Sequence, residues 1–197
     1  LVLPDRSYAA VAPDLDAVAL LVGTGTDLAG VVGLGAEALA AAGFDASAGS
    51  SLVVARDGHP LVLVGVGALD ELDADSLRDA AAAAARAIAK KGGRIGIDVP
   101  ATGVEARIAG QVLTEGALLA RYRYAVLKAE PKEVPLEELQ LRVAGADAAA
   151  LAAGIATALV TVRAATVARD LANTPPGHLT ATDLAEVAAE LGAEFGF

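Results

Sequence analysis

Along this chain, short runs rich in Val, Leu and Ile alternate with longer alanine-rich stretches, and glycine or proline separates most of them. That alternation constrains the fold more than any other feature. The short runs have the length of buried strands and the long ones that of helices. Residues 17–22 (AVALLV) form the first strand-like run, closed by Gly23-Thr24-Gly25. Residues 28–42 read as a helix weakened by Gly30, Gly33 and Gly35. Two β-rich runs, 52–56 and 61–66, are joined by Asp57-Gly58-His59-Pro60. An Asp-Gly pair in that setting predicts a hairpin.

Residues 75–91 give the clearest helical pattern. Leu77, Ala81, Ala84 and Ile88 line one face, and Asp75, Asp79, Arg86 and Lys90 the other. Gly92-Gly93 supplies a left-handed stop. A strand over 94–98 follows, then a helix over 104–122 with Val104, Ile108, Val112 and Leu119 on one side. Residues 124–128 read as a short strand, 130–138 as a charged, proline-containing loop, and 139–143 as a further strand. Strands and helices at this spacing predict an α/β fold with a mixed, mostly parallel sheet flanked by helices. The hairpin adds an antiparallel pair.

The last third differs. Residues 147–170 read as one long helix with Leu151, Ile155, Leu159 and Val162 on one face and no charge between Asp147 and Arg163. A helix apolar nearly all round should be covered nearly all round. The sheet is expected to cover one side and a further partner the other. Thr174-Pro175-Pro176-Gly177 then breaks the chain, and Thr180 with Asp183 forms a capping-box pattern for a final helix reaching about Glu194. The expected organisation is an α/β domain over 1–145, a linking helix over 146–172, and over 173–197 the start of a second domain that the sequence does not complete.

Composition narrows the possible functions. Of the 55% hydrophobic residues, 49 are alanine, and aromatics make up only 3%, so the mean hydropathy of +0.53 reflects small side chains. The chain has no cysteine, which excludes disulfides, thiolate catalysis and Cys-ligated zinc. A formal net charge of −10 repels phosphate backbones and anionic lipid, so nucleic acid and membrane are not expected partners. The uncharged stretch 148–162 falls short of the roughly 20 residues of a membrane span. No signal-peptide pattern is visible, and a cytoplasmic location is expected. The sequence starts at Leu1 and contains no Met, so it is expected to begin inside its protein.

Three glycine clusters invite a phosphate-loop reading. In Gly23-Thr24-Gly25-Thr26-Asp27-Leu28 and in Gly65-Val66-Gly67-Ala68-Leu69-Asp70 the third glycine of a dinucleotide fingerprint is replaced, by Leu28 and Asp70. Gly30-Val31-Val32-Gly33-Leu34-Gly35 lies within a helical stretch. Glycine used for tight turns is the simpler reading. His59 and His178 have no neighbour at metal-ligand spacing. Ser7, Ser47, Ser50, Ser51 and Ser76 lack a nucleophile elbow. Lys90-Lys91 reads as a helix C-terminal charge pair, and the carboxylates as a solvated acidic surface. No catalytic, metal-binding or cofactor-binding residue is therefore expected in this chain.

The stretch from Arg163 to Thr180, containing Ala168-Arg169-Asp170-Leu171-Ala172-Asn173-Thr174-Pro175-Pro176, closely resembles the segment joining the two domains of the leucyl (cytosol) aminopeptidases. Glu115-Gly116-Ala117-Leu118-Leu119-Ala120-Arg121-Tyr122-Arg123-Tyr124 resembles that family's EGALLxxYRF stretch, and Leu61 to Gly67 with the following helix resembles its VLLVGLG strand and next helix. Tyr124 stands where Phe is usual, and Gly177 where Asn is frequent. The resemblance implies an amino-terminal domain similar to the macro-domain fold and a carboxy-terminal domain with two divalent metals, Mn or Zn, that removes N-terminal residues from peptides. The family's metal-binding segments do not occur here, so no ligand can be carried over.

Two functions are then open. The first is a non-catalytic assembly and shielding domain of a hexameric dimetal aminopeptidase, with its own catalytic domain as partner and peptides as substrates. The alternative is a macro-like module binding an ADP-ribose-type or other phosphate ligand. The degenerate glycine loops favour the first. DNA binding, known in some family members, is opposed by the charge. The chain alone is expected to be inactive and to bind ADP-ribose no tighter than the millimolar range.

Overall fold

The computed structural model describes residues 15–56, 58–90, 92–127 and 134–196. Leu1, Ser7, Asp57, Lys91, Lys128 and residues 130–133, on which parts of the expectations above fall, lie outside the described residues.

Five strands form one sheet: β1 (Ala17–Gly23), β2 (Ser51–Arg56), β3 (His59–Gly67), β4 (Arg94–Val99) and β5 (Glu138–Val143). Their order is β2-β3-β1-β4-β5. β1 pairs in parallel with β3 and with β4, β4 pairs in parallel with β5, and β2 runs antiparallel to β3. The mixed, mostly parallel sheet read from the sequence is thus the one that forms. The hairpin places Arg56 opposite His59, with Gly58 at φ +82, where the lack of a Cβ removes the steric penalty.

The helices are α1 (Ala29–Val32), α2 (Ala36–Ala41), α3 (Ala74–Ala87), α4 (Ala106–Ala120), α5 (Ala148–Asn173) and α6 (Ala181–Phe195). Side chains alternate across the strands, so the sheet has two cores. Ala19, Leu21, Val64, Ile95 and Ile97 pack with Leu77, Ala81, Ile88 and Leu113 from α3 and α4. On the opposite face Val18, Leu20, Val22 and Leu63 pack with Leu28, Leu39 and Phe44. α5 lies outside α4 as a further layer.

Several expectations are corrected. The helix expected over 28–42 is two short helices: Gly33 ends α1 in the left-handed region at φ 70, and Gly35 enters α2 extended. α3 stops at Ala87, and neither Gly92 nor Gly93 takes a positive φ. The N–H groups of Gly93 and Arg94 both donate to Asp16 at 2.8 Å, which draws the chain directly into β4. Residues 124–127 form no strand; Val126 and Leu127 are exposed, and Tyr124 is held by a residue beyond α5 instead. Ile108, expected to be buried, is exposed, because α4 buries Ala109, Gly110, Val112, Leu113 and Gly116 between α3 and α5.

The β4–β5 half of the second sheet face is polar. Asp98 is only 2% exposed there, and Arg142 donates to it through Nε at 2.5 Å and through a terminal nitrogen at 2.8 Å. Burial raises its carboxyl to about 6 despite the opposing pull of Arg142. A carboxyl whose folded pKa is raised contributes stability that is full below about pH 4 and is lost as pH rises through about 6. Asp98→Asn, which mimics the protonated form, is therefore expected to gain on the wild type between pH 4 and pH 7. Urea midpoints across that range check this, and a constant difference between the two proteins would refute it.

Candidate functional site

The glycine clusters are closed by the protein's own backbone. Thr24 N–H donates to Gly67 O, Gly65 N–H to Ser50 O, and Gly67 N–H to Ala46 O. A Cβ at Gly65 would lie 2.2 Å from Ser47 O, and one at Gly23 2.4 Å from Leu69. Glycine here admits a crossing loop and the Leu69 side chain, and these amides are already engaged. The nearby cleft of 470 Å³ is lined by Asp27 and Asp45, whose charge opposes an anion.

His59 opens β3 at the hairpin and His178 follows Pro175-Pro176-Gly177; both are exposed and far apart in the chain. Ser47 and Ser76 donate to Asp45 and Asp73, and Ser50 to Ser47 O, in local turn and cap bonds. Among the described residues no group of three or more His, Cys, Asp and Glu comes together where it could hold a metal ion.

What the structure does bring together is two of the stretches that carry the family resemblance, 115–124 and 163–180. The construction starts at three helical glycines. A Cβ at Gly116 would lie 2.1 Å from Arg78 O on α3; at Gly110, 2.3 Å from Leu151 O on α5; at Gly154, 1.9 Å from Arg107 O on α4. Backbone thus lies on backbone on both sides of α4. This corrects the expected face of α5: the residues fully covered are Gly154 and Ala158, while Leu159 is 54% exposed. The cover is α4, not the sheet. By length and composition alone α5 could cross a membrane. Its seam with α4 instead sets one face against protein.

A buried carboxylate crosses this seam. Glu115 accepts from Gln111 Nε2 at 2.9 Å, from Thr161 Oγ1 on α5 at 2.8 Å and from Arg78 Nη2 on α3 at 3.2 Å. Burial pushes its pKa up, but hydrogen bonds from Gln111, Thr161 and Arg78 outweigh this and leave it lowered. The charged form therefore holds three helices at one point.

Beyond Ala120 the chain turns back through a polar joint. Arg121 donates to the carbonyls of Ala85, Ala89 and Gly92, answering orphan acceptors where α3 ends, and to Val134 O ahead of β5. Tyr122 donates its hydroxyl to Asp170 Oδ1 at 2.8 Å and accepts from Asn173 Nδ2 at 3.3 Å. Arg169 lies over the Tyr122 ring, 5.4 Å from its centre, and donates to Leu119 O. Tyr124 donates to Thr174 Oγ1 at 3.0 Å, and Thr174 Oγ1 donates to Asp170 O at 2.7 Å. Reasoning from residue types gave these groups no role, because their partners lie about fifty positions away. The available signal was glycine inside two otherwise strong helices, which usually marks close packing.

On the far side of α5, Leu159, Val160, Val167 and Leu171 face Leu191 and Phe195 of α6 across an apolar groove of about 640 Å³. Arg163 spans one end, donating to Glu194 at 2.5 Å with its guanidinium 4.8 Å from the Phe195 ring centre. Leu159, Val160 and Phe195 remain 54%, 70% and 54% exposed.

Residues 20–131 match the family model described as cytosol aminopeptidase family, N-terminal domain. A probable cytosol aminopeptidase of Chlorobium luteolum is 36% identical over 179 residues, covering 78% of this chain and 35% of that protein. One from Rhodococcus erythropolis is 32% identical over 141 residues, covering 69% and 26%. The chain thus spans about a third of the length of the curated relatives it matches. Among solved structures, the bottromycin maturation enzyme BotP in complex with Mn superposes with TM-score 0.70 at 32% identity, over 92% of this chain and 37% of that one. A tomato leucine aminopeptidase mutant superposes with TM-score 0.80 over 92% and 40%; at 20% identity it shares the fold.

Proposed function

Because the chain belongs to the cytosol aminopeptidase family, as its N-terminal domain, we propose that it is the non-catalytic assembly and shielding domain of a dimetal leucyl aminopeptidase. The observation that carries this reading is the exposed apolar groove between α5 and α6. Covering the exposed half or more of Leu159, Val160 and Phe195 would contribute about 1–2 kcal/mol each. In this reading the cover is a following domain, and the chain itself spans about a third of the length of its relatives. In this reading residues 1–145 form the α/β domain, 146–172 the linking helix and 173–197 the start of the catalytic domain. The protein is a cytoplasmic hexamer. The two metals, Mn or Zn, sit in the catalytic domain, where they activate water and polarise the peptide carbonyl. The described residues of this chain do not offer a ligand set for them, so no step of hydrolysis is assigned to it. The phosphate-module alternative has no support at Thr24, Gly65 and Gly67, whose amides donate to the protein's own carbonyls.

The test is hydrolysis of leucine amide with added Mn or Zn by the isolated chain and by the intact protein containing it. The intact protein is expected to turn over and the isolated chain not. Metal-dependent turnover by the isolated chain would place the active site here and overturn the reading, as would an inactive intact protein.

A further inference from the structure

We propose that the Tyr122–Asp170 and Tyr124–Thr174 hydrogen bonds form a positioning joint that fixes the placement of the following domain and, through it, the length of peptide the enzyme accepts. The inference rests on the shielding function proposed above. α5 is held at two separated points. Its N-terminal half is pinned at the glycine seam, where Gly154 meets the α4 backbone. Its C-terminal end is pinned by Tyr122 on Asp170 and Asn173 and by Tyr124 on Thr174. One pin alone leaves a pivot; two set a direction. From Gly154 to Thr174 the helix runs about 30 Å at 1.5 Å per residue. A tilt of about 5° at the seam would then move its end by about 3 Å over that helical length.

The chain leaves α5 at Thr174 itself. Its hydroxyl accepts from Tyr124 and donates to Asp170 O, and Pro175-Pro176 follows, with the proline rings restricting the backbone. The exit direction is therefore tied to the segment just after α4 through side chains rather than left to the helix end. Tyr124 carries particular weight. Where the family resemblance has Phe, this chain has a hydroxyl in reach of Thr174. Arg169 braces the same joint by covering the Tyr122 ring and donating to Leu119 O. If this domain limits access to an internal site, a few ångströms at the joint change the opening seen by a long peptide, while a single amino-acid amide still enters.

The experiment uses the intact enzyme carrying Tyr124→Phe, Tyr122→Phe or both. Tyr124→Phe installs the family's usual residue and removes only a hydroxyl, so folding is not at issue. For each variant, kcat/KM is measured on leucine amide and on a hexapeptide beginning with leucine. A spin-label pair, one label on α3 and one in the following domain, gives the interdomain distance distribution. The amide value is expected to stay within about twofold, while the hexapeptide-to-amide ratio shifts about three- to tenfold in the double variant. The distance distribution is expected to broaden or move by a few ångströms. Asp170→Asn, which keeps an acceptor for Tyr122, should retain the wild-type ratio. An unchanged ratio together with an unchanged distribution in the double variant overturns the joint. If wild-type enzyme treats the two substrates alike, the shielding function falls instead, and the distance distribution alone decides the joint.

Discussion

Gly154→Ala is expected to unseat α5 and lower the stability of the chain by about 3 kcal/mol, the upper part of the range for overpacking. Replacing a helical glycine with alanine ordinarily gains about 1 kcal/mol in helix propensity. Here the added methyl would lie 1.9 Å from Arg107 O and 2.8 Å from Gln111 N, both backbone atoms of a helix that cannot yield locally. Relief requires α5 to move off α4 as a body, which breaks the Thr161–Glu115 hydrogen bond and uncovers Ala158. Gly116→Ala, 2.1 Å from Arg78 O, should act similarly on the other seam. The control is Gly30→Ala in α1, where nothing lies within 4 Å; it should leave stability unchanged or raise it by up to about 1 kcal/mol, with no loss. Denaturant midpoints decide: if Gly154→Ala unfolds with Gly30→Ala and the wild type, the seam is looser in solution than described.

The isolated chain is expected to associate with itself through the outer face of α5 and α6. Leu159, Val160 and Phe195 there are more than half exposed and contiguous with the groove. Soluble monomers seldom expose such a surface. Val160→Glu with Leu159→Glu should weaken association about tenfold or more, since each removes an apolar contact and adds a charge that a dry interface would bury. Light scattering over a concentration series measures it. Charge substitution is a cleaner test than ending the chain before α5, because that would strip α4 of its cover at Gly110. Monomers at high concentration for both proteins would show that the groove does not seek a partner. Under the proposed function the same substitutions should, in the intact protein, instead weaken the hold of the following domain.

What the sequence made legible was whatever local order dictates. The Val- and Leu-rich runs became β1 and β3, buried on both faces as continuous apolar strands must be, and the Ile-containing run became β4. Asp57-Gly58 signalled the turn, and Thr180 with Asp183 the cap of α6, where both capping-box bonds form. Misreadings arose where a distant group decides. The backbone of 92–94 follows Asp16, almost eighty positions earlier, rather than the habit of paired glycines after a helix. The inward face of α5 is chosen by how closely α4 approaches, so Gly154 and Ala158 displace the leucines that periodicity favoured. Tyr122 and Asp170 each stood in a segment recognised by resemblance, yet nothing local to either says that they meet.

The bare faces of α4 bear on how the chain is made. β1 emerges first and waits for β3 and β4 on either side, and α4 has no outer cover until Gly154 and Ala158 have been synthesised. At about 5–20 residues per second, the interval between Gly110 and Gly154 lasts roughly 2–9 s. A helix that waited that long with leucines outward would offer nascent neighbours on the same messenger an adhesive stripe. At Gly110 that face presents backbone and almost no hydrocarbon. The close seam of the finished molecule is thereby a surface with little to attract a neighbouring chain while the molecule is incomplete.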